Sequence, residues 1–267
     1  MAINVHAHIG ARHDVSERVD YYRHPDVTHT IIFGDDTNAA AAMEKYPDFI
    51  TAFGCVSRKS PATPEKIAEF IDRGFRGVKI IAIGRPYDDR ELFPMYEAIQ
   101  EAGLPVLFHC GHVQVRGEPV YESSLFMRPG RLDTLARSFP ELAMIGAHLG
   151  APWCDEACSV MWKHRNIYFD MSGGTVRLKT LAQLKAHFTK APGEGFLRSG
   201  DEVVHTEMVE KLVFGTNGRR PGEYLAFYRN FCDMLGVDDE TRHKIMTGNA
   251  AAILGMSRKA APDDSSS

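Results

Sequence analysis

The stretch Leu92–Gly111, LFPMYEAIQEAGLPVLFHCG, holds one complete structural unit and sets the reading of everything around it. Its first half spaces apolar residues at helical intervals and stops at Ala102-Gly103, where glycine suits a helix end. After Pro105, Val106-Leu107-Phe108 forms a short apolar run of the kind seen in a strand buried on both faces. The run closes on a polar residue, His109. A helix feeding a buried strand is half of a βαβ repeat, so the question is how often the pattern returns.

It returns almost from end to end. Eight strand-like runs are expected, at Ile3–His8, Thr28–Gly34, Phe49–Val56, Gly77–Ile83, Pro105–Cys110, Ala143–His148, Asn166–Asp170 and Lys211–Gly215. Helical spacing falls between them at Ala39–Tyr46, Pro64–Arg73, Leu92–Ala102, Arg131–Phe139, Asp155–Lys163, Thr180–His187 and Glu223–Leu235. Eight repeats in 267 residues predict a single-domain α/β chain, a closed (β/α)8 TIM-like barrel. An open doubly wound sheet gives a similar alternation, but no strand leads into a Gly-x-Gly-x-x-Gly turn or a Walker loop. The barrel is assigned to residues 1–256, and 257–267, small and polar, to a disordered tail.

Composition narrows the function classes. With 44% hydrophobic and 25% charged residues the chain reads as an ordinary globular protein. A net charge of -4 and the lack of a basic run interleaved with aromatics argue against nucleic acid as a partner. No apolar stretch is long enough to cross a bilayer, and the N-terminus lacks the pattern of a signal peptide. Five cysteines, an odd number without zinc-ribbon spacing, favour reduced thiols and a cytoplasmic location. A small-molecule substrate is the expected partner, and self-association into a homo-oligomer stays open.

Chemistry gathers at strand ends. In a strand alternate side chains share a face, so His6 and His8 project together from the closing end of the first run, where barrel active sites lie. Two further runs end the same way, at His109 and at His148. Each histidine alone is most simply a core residue bonded to a carbonyl. Four on one rim point further, because three neutral imidazoles and a water make a catalytic zinc arrangement and a fourth can move a proton.

Taken together, Val5-His6-Ala7-His8-Ile9-Gly10, Gly74–Ile80, Leu104–Gly111, Ala147-His148-Leu149-Gly150, Asn166–Gly173, Leu212–Thr216 and Gly248–Ala251 make the chain resemble the amidohydrolase superfamily, in its amidohydrolase-2 or aminocarboxymuconate-semialdehyde-decarboxylase-like branch. The resemblance implies one divalent metal ion, zinc first with manganese or iron as alternatives, held by His6, His8 and His109. It places His148 beside the ion as ligand or catalytic residue.

One position departs from the family. The eighth strand usually ends in an aspartate that binds metal and takes a proton from water, but Thr216 is followed by Asn217. An amide has no basic state near neutral pH and is a weaker ligand than a carboxylate. Three accounts stand side by side: an introduced substitution that traps substrate, a natural branch using another base, or loss of catalysis. Thr-Asn-Gly is also a good turn sequence, so a structural role stands with them. Substitute bases would be His148, Asp35, Asp36 or Asp170, the last best placed. Asn4 likewise stands where the family motif often has aspartate.

Lys79, charged inside an apolar run, needs a partner or a wet cavity, and with Arg219 and Arg220 it is a candidate for binding substrate. The expected activity is metal-dependent hydrolysis of an amide, ester or lactone in a small molecule, for which a carboxylate is one option. The alternatives are a non-oxidative decarboxylase or hydratase on the same framework, and a non-catalytic binding protein that has lost the eighth-strand acid.

Overall fold

A computed structural model describes residues 1–113, 122–173, 176–190 and 203–256. Strands β1 (Ala2–Ile9), β2 (Val27–Gly34) and β3 (Ile50–Ala52) pair in parallel. A second parallel sheet runs in the order β11-β8-β7-β6-β5-β4. It comprises β4 (Gly54–Ser57), β5 (Val78–Ile81), β6 (Val106–Phe108), β7 (Met144–Gly146), β8 (Ile167–Asp170) and β11 (Leu212–Val213). β9 (Thr189–Lys190) and β10 (Val203–Val204) form a separate antiparallel pair.

Two seams join the sheets into a ring. The Val5 amide donates to the Phe214 carbonyl at 2.9 Å, closing β1 onto the end of β11. On the other side, the Phe53 amide still donates to Ile32, whereas the Gly54 amide already donates to Gly77, each at 3.0 Å. The chain therefore hands its pairing from β2 to β5 at Phe53. The run expected as one strand, Phe49–Val56, is in fact two, because Phe53 turns its ring against Gly77 and breaks the ladder there. The result is a closed (β/α)8 barrel whose third stave is bent.

Helices α1 (Val15–Tyr22), α2 (Asp36–Lys45), α3 (Pro64–Asp72), α4 (Phe93–Glu101), α5 (Arg131–Ser138), α6 (Cys154–Lys163), α7 (Leu181–Lys185), α8 (Thr206–Val209) and α9 (Pro221–Leu235) follow along the chain. α10 (Asp239–His243) and α11 (Asn249–Ile253) flank one π-helical turn at Lys244–Gly248. Local chemistry sets their ends. Thr63 caps α3 with Pro64 in its first turn, Asp35 caps α2 through the Asn38 amide, and Gly236 closes α9 in a left-handed conformation. α1 is absent from the sequence-based expectation because its core-facing side is narrow, with only Val19 and Tyr22 buried.

The core divides in two. A large cluster joins the helices to the outward strand residues, such as Ala7, Val78 and Phe108. A smaller one, including Ile3, Val5, Phe33, Phe53, Leu107 and Ile145, fills the barrel and meets Ala250 of α11. Each large apolar side chain so buried contributes about 1.5–3 kcal/mol, which makes this interior a rigid floor. Residues 257–267, the expected tail, lie outside the described residues. No helix of the described residues is long and apolar enough to cross a membrane.

Candidate metal centre

Pairing in β1 slips between Asn4 and Ala7. The slip lets Val5 join the barrel interior while His6 and His8 both turn into a cavity above it, with Ala7 facing the helices. The cavity has a volume of about 260 Å³, and His6, His8, Lys79, His109, His148 and Asn217 all line it. The four imidazoles form a chain, with ring centroids 5.1 Å apart for His8 and His6, 5.0 Å for His6 and His148, and 4.9 Å for His148 and His109.

Asp170, at the end of β8 and fully buried, organises the deep part of this chain. Its carboxylate accepts from His6 Nδ1 at 2.8 Å, from the His148 amide at 3.1 Å and from the Ser172 amide at 2.7 Å, and it also accepts the Ser172 hydroxyl. Burial alone would raise its pKa, but His6, His148 and Ser172 together hold it well below the usual carboxylate range. A carboxylate only accepts, so the proton of His6 sits on Nδ1 and the lone pair on Nε2. His148 is fixed the same way, its Nδ1 donating to the Ser172 carbonyl at 2.8 Å. Burial, with the charge of His6, pushes the His148 pKa down to about 3, so this ring is neutral at physiological pH.

His109 closes β6, and burial likewise drives its pKa well below the ordinary value. Its Nε2 is buried with no hydrogen-bond partner among the described residues, and so is Lys79 Nζ. A buried ring nitrogen that the described residues leave unpaired in a polar cavity is a position suited to a metal ion or a water. His6, His148 and Asp170 can each place a ligand atom within 4.8 Å of the others, so the site holds a cluster able to coordinate a divalent metal ion. Within it Asp170 already carries four hydrogen bonds, which suits a carboxylate that orients a liganding imidazole.

The outer part of the site is built differently. His8 Nε2 lies 3.0 Å from Asn217 Oδ1. Burial lowers the His8 pKa strongly, and the charges of His6 and Lys79 lower it further. The backbone of His8 is gripped by α1. Its amide donates to the Tyr22 hydroxyl at 3.0 Å, and the same hydroxyl donates to its carbonyl at 2.7 Å. Arg18 donates from Nε to the His8 carbonyl at 2.7 Å and from its terminal nitrogen to the Gly218 carbonyl at 3.1 Å, tying the end of β1 to the turn after β11. That turn is left-handed at Asn217, φ 50°, and at Gly218, φ 72°. A Cβ on Gly218 would come within 2.8 Å of His8 Cδ2, so glycine is required there by both backbone and space.

Asn4 stitches the same seam. Its Nδ2 donates to Thr216 Oγ1 at 3.1 Å, and its Oδ1 accepts the His6 amide at 3.2 Å. An amide does here what a carboxylate cannot, because it both donates and accepts.

The structure thus gathers the histidines, Lys79 and Asn217 around one cavity. It does not place Arg219 or Arg220 on the cavity wall. Both are exposed, and Arg220 stacks on Tyr21 with 4.6 Å from its guanidinium to the ring centroid. Asp35 and Asp36 have other work, capping α2 and accepting the Cys55 amide at 3.0 Å. Cys110 lines the cavity, but burial pushes its thiol pKa up to about 12, which leaves it inert. Ser172, Arg18 and Tyr22 were not legible as site residues. For the last two, the signal available was Asp14, whose side chain caps α1 through the Glu17 amide.

The family model described as Amidohydrolase matches residues 11–256, beginning just after the first histidine pair. No curated protein matches the chain. Among solved structures, the chain is similar to an uncharacterized TIM-barrel protein from Bordetella bronchiseptica, with 18% identity over 96% of this chain and 98% of that one and a TM-score of 0.67. It is similar to 5-carboxyvanillate decarboxylase from Sphingomonas paucimobilis, with 14% identity over 96% and 99% and a TM-score of 0.61. A third, described as "probable 2-pyrone-4,6-dicarboxylic acid hydrolase", comes from Acinetobacter baumannii, with 14% identity over 95% and 99% and a TM-score of 0.60. At these identities the structures speak to the fold, and the family model carries the assignment. The chain belongs to the amidohydrolase family.

Proposed function

We propose that the chain is a metal-dependent hydrolase that acts on an amide, ester or lactone carbonyl of a small molecule. The observation carrying this reading is the Nε2 of His109, which has no hydrogen-bond partner among the described residues and is buried in a cavity shared with three other neutral imidazoles. His6, His8 and His109 would hold one divalent ion, zinc by preference, with manganese or iron compatible with the same donors. Such an ion, when bound, polarises a carbonyl and makes a water acidic. His148 moves the proton. Its Nδ1 is committed to Ser172, so Nε2 is the nitrogen that takes and returns it. Asp170 fixes the His6 tautomer, Lys79 would face the substrate from the cavity wall, and Arg219 and Arg220 would meet parts of it outside the cavity.

Asn217 favours a second reading. Hydrolysis and hydration both need a base for the attacking water, whereas release of carbon dioxide from a carboxylate involves no attacking water. The two are separated by assaying purified, zinc- and manganese-supplemented protein on a panel of lactones, esters and amides while following carbon dioxide release from aromatic carboxylates. Hydrolysis that disappears in His148→Ala supports the first reading. Carbon dioxide release without hydrolysis replaces it with the second, and no turnover by metal-loaded protein, even after Asn217→Asp, leaves a binding protein.

A further inference from the structure

A second cavity, of about 260 Å³, lies between the loop after β8 and helix α9 and shares no lining residue with the histidine cavity. Met171, Leu181, Tyr224 and Phe227 give it apolar walls, and Arg177, Lys179 and Glu223 complete the lining. Met171 and Tyr224 are buried, and the Tyr224 hydroxyl accepts the Gly173 amide at 3.2 Å. The cavity therefore backs the loop that carries Ser172. Beside it stands Leu178, 85% exposed, the most exposed large apolar side chain among the described residues. It sits between Arg177 and Lys179 in the chain but is not on the lining that they share.

A single exposed leucine is ordinary. Here it adjoins an apolar hollow with room for a leucine side chain, and the charges around that hollow are unspent. Arg177, Lys179 and Glu223 line one cavity, yet none of them forms an ion pair among the described residues. A patch that carries an apolar knob, a hole and both signs of charge complements itself. Under a two-fold axis each copy meets the same patch on the other, so every contact is made twice. Leu178 of one copy enters its partner's hollow while the partner's Leu178 enters the first. Glu223 then faces the partner's Arg177 and the partner's Lys179, and charges left unpaired in one copy are paired between two.

We infer that this face is a two-fold interface between two copies of the chain, with Leu178 of each seated in the cavity of the other. The inference does not rest on the proposed hydrolysis or on a bound metal. It would set the partner's Leu178 against Met171, behind the loop that holds Ser172.

Sedimentation velocity of the full chain across micromolar concentrations reads the association. The wild-type protein is expected to dimerise, and Leu178→Ser, at a position too exposed to disturb the barrel, should weaken the dimer about tenfold or more. Charge reversal tests the two-fold arrangement. Glu223→Lys sets like charges against the partner's Arg177 and the partner's Lys179, and the double variant Arg177→Glu, Lys179→Glu does the same with the opposite sign. Each alone should be monomeric, whereas an equimolar mixture of the two should form heterodimers, because every reversed charge then meets its opposite. A monomeric wild-type protein overturns the inference, as does a dimer that Leu178→Ser leaves at full strength. Charge variants that dimerise alone, or whose mixture stays monomeric, overturn it as well. If a charge variant does not fold, the wild-type protein and Leu178→Ser decide.

Discussion

His6 and His8 stand two residues apart on one strand, yet they are held by opposite means. Around His6 the holding group is a charge: Asp170, fully buried, fixes the ring directly and fixes His148 through its amide and through Ser172. Around His8 it is backbone geometry: Tyr22 and Arg18 grip the peptide, and the ring meets a neutral amide. A carboxylate dictates which ring nitrogen carries the proton. An amide does not, because turning it over presents NH₂ in place of oxygen. One side of the site is therefore fixed in its protonation and the other only in its position.

Asp170→Asn should break the fixed side hardest. It keeps the shape, removes the charge, and leaves one donor facing donors, for an expected loss of about 3 kcal/mol or more in urea unfolding. Zinc affinity should fall ~10–100-fold with it. Wild-type stability in this variant would mean that the two sides are held alike.

Acid is the next largest effect, and its sign follows from the depressed histidines. Between pH 6.5 and about 3 the unfolded chain binds a proton at His148 that the folded site refuses. Stability is untouched by this ring above pH 6.5 and falls as pH drops through that window. Asp170, held low, adds its own loss once pH falls through and below its unfolded value of 3.8. A thermal midpoint that stays level from pH 7 to 4 would show that these rings are not buried neutral.

Gly173→Ala tests the deep side sterically. Gly173 has φ 98°, and a Cβ there would lie 2.3 Å from His148 Nδ1. A cost of about 2 kcal/mol in urea unfolding is expected, against little change if the loop simply yields. Tyr22→Phe is the mildest probe, and it addresses the outer side. It removes the hydroxyl bracketing His8 at both its amide and its carbonyl, for about 1–2 kcal/mol in the same assay. A larger loss than from Asp170→Asn would invert the comparison.

How much of this could be read in the sequence follows the same division. The barrel was legible because its strands are buried on both faces and read as short apolar runs, and His109 and His148 stand out as polar residues ending such runs. The bend at Phe53 was not, since a strand that changes partners midway keeps one continuous apolar pattern. Asp170 was visible at a strand end, but its four hydrogen bonds depend on a β8 loop folding back onto β1 and on the His148 turn. Arg18 and Tyr22 were hidden by a short polar helix whose contribution to the site runs through backbone atoms, which no side-chain pattern records. Asn217 was marked as the odd position, and its left-handed backbone agrees with the Thr-Asn-Gly turn reading.

The central claim is that neutral imidazoles around one cavity hold a single divalent ion. Zinc titration of the metal-free protein beside His109→Ala tests it most directly. One zinc per chain, with affinity falling about a hundredfold or more when the unpartnered nitrogen of His109 is removed, is the expected result. A folded wild-type protein that takes no zinc, or a His109→Ala protein that binds it equally well, would contradict it.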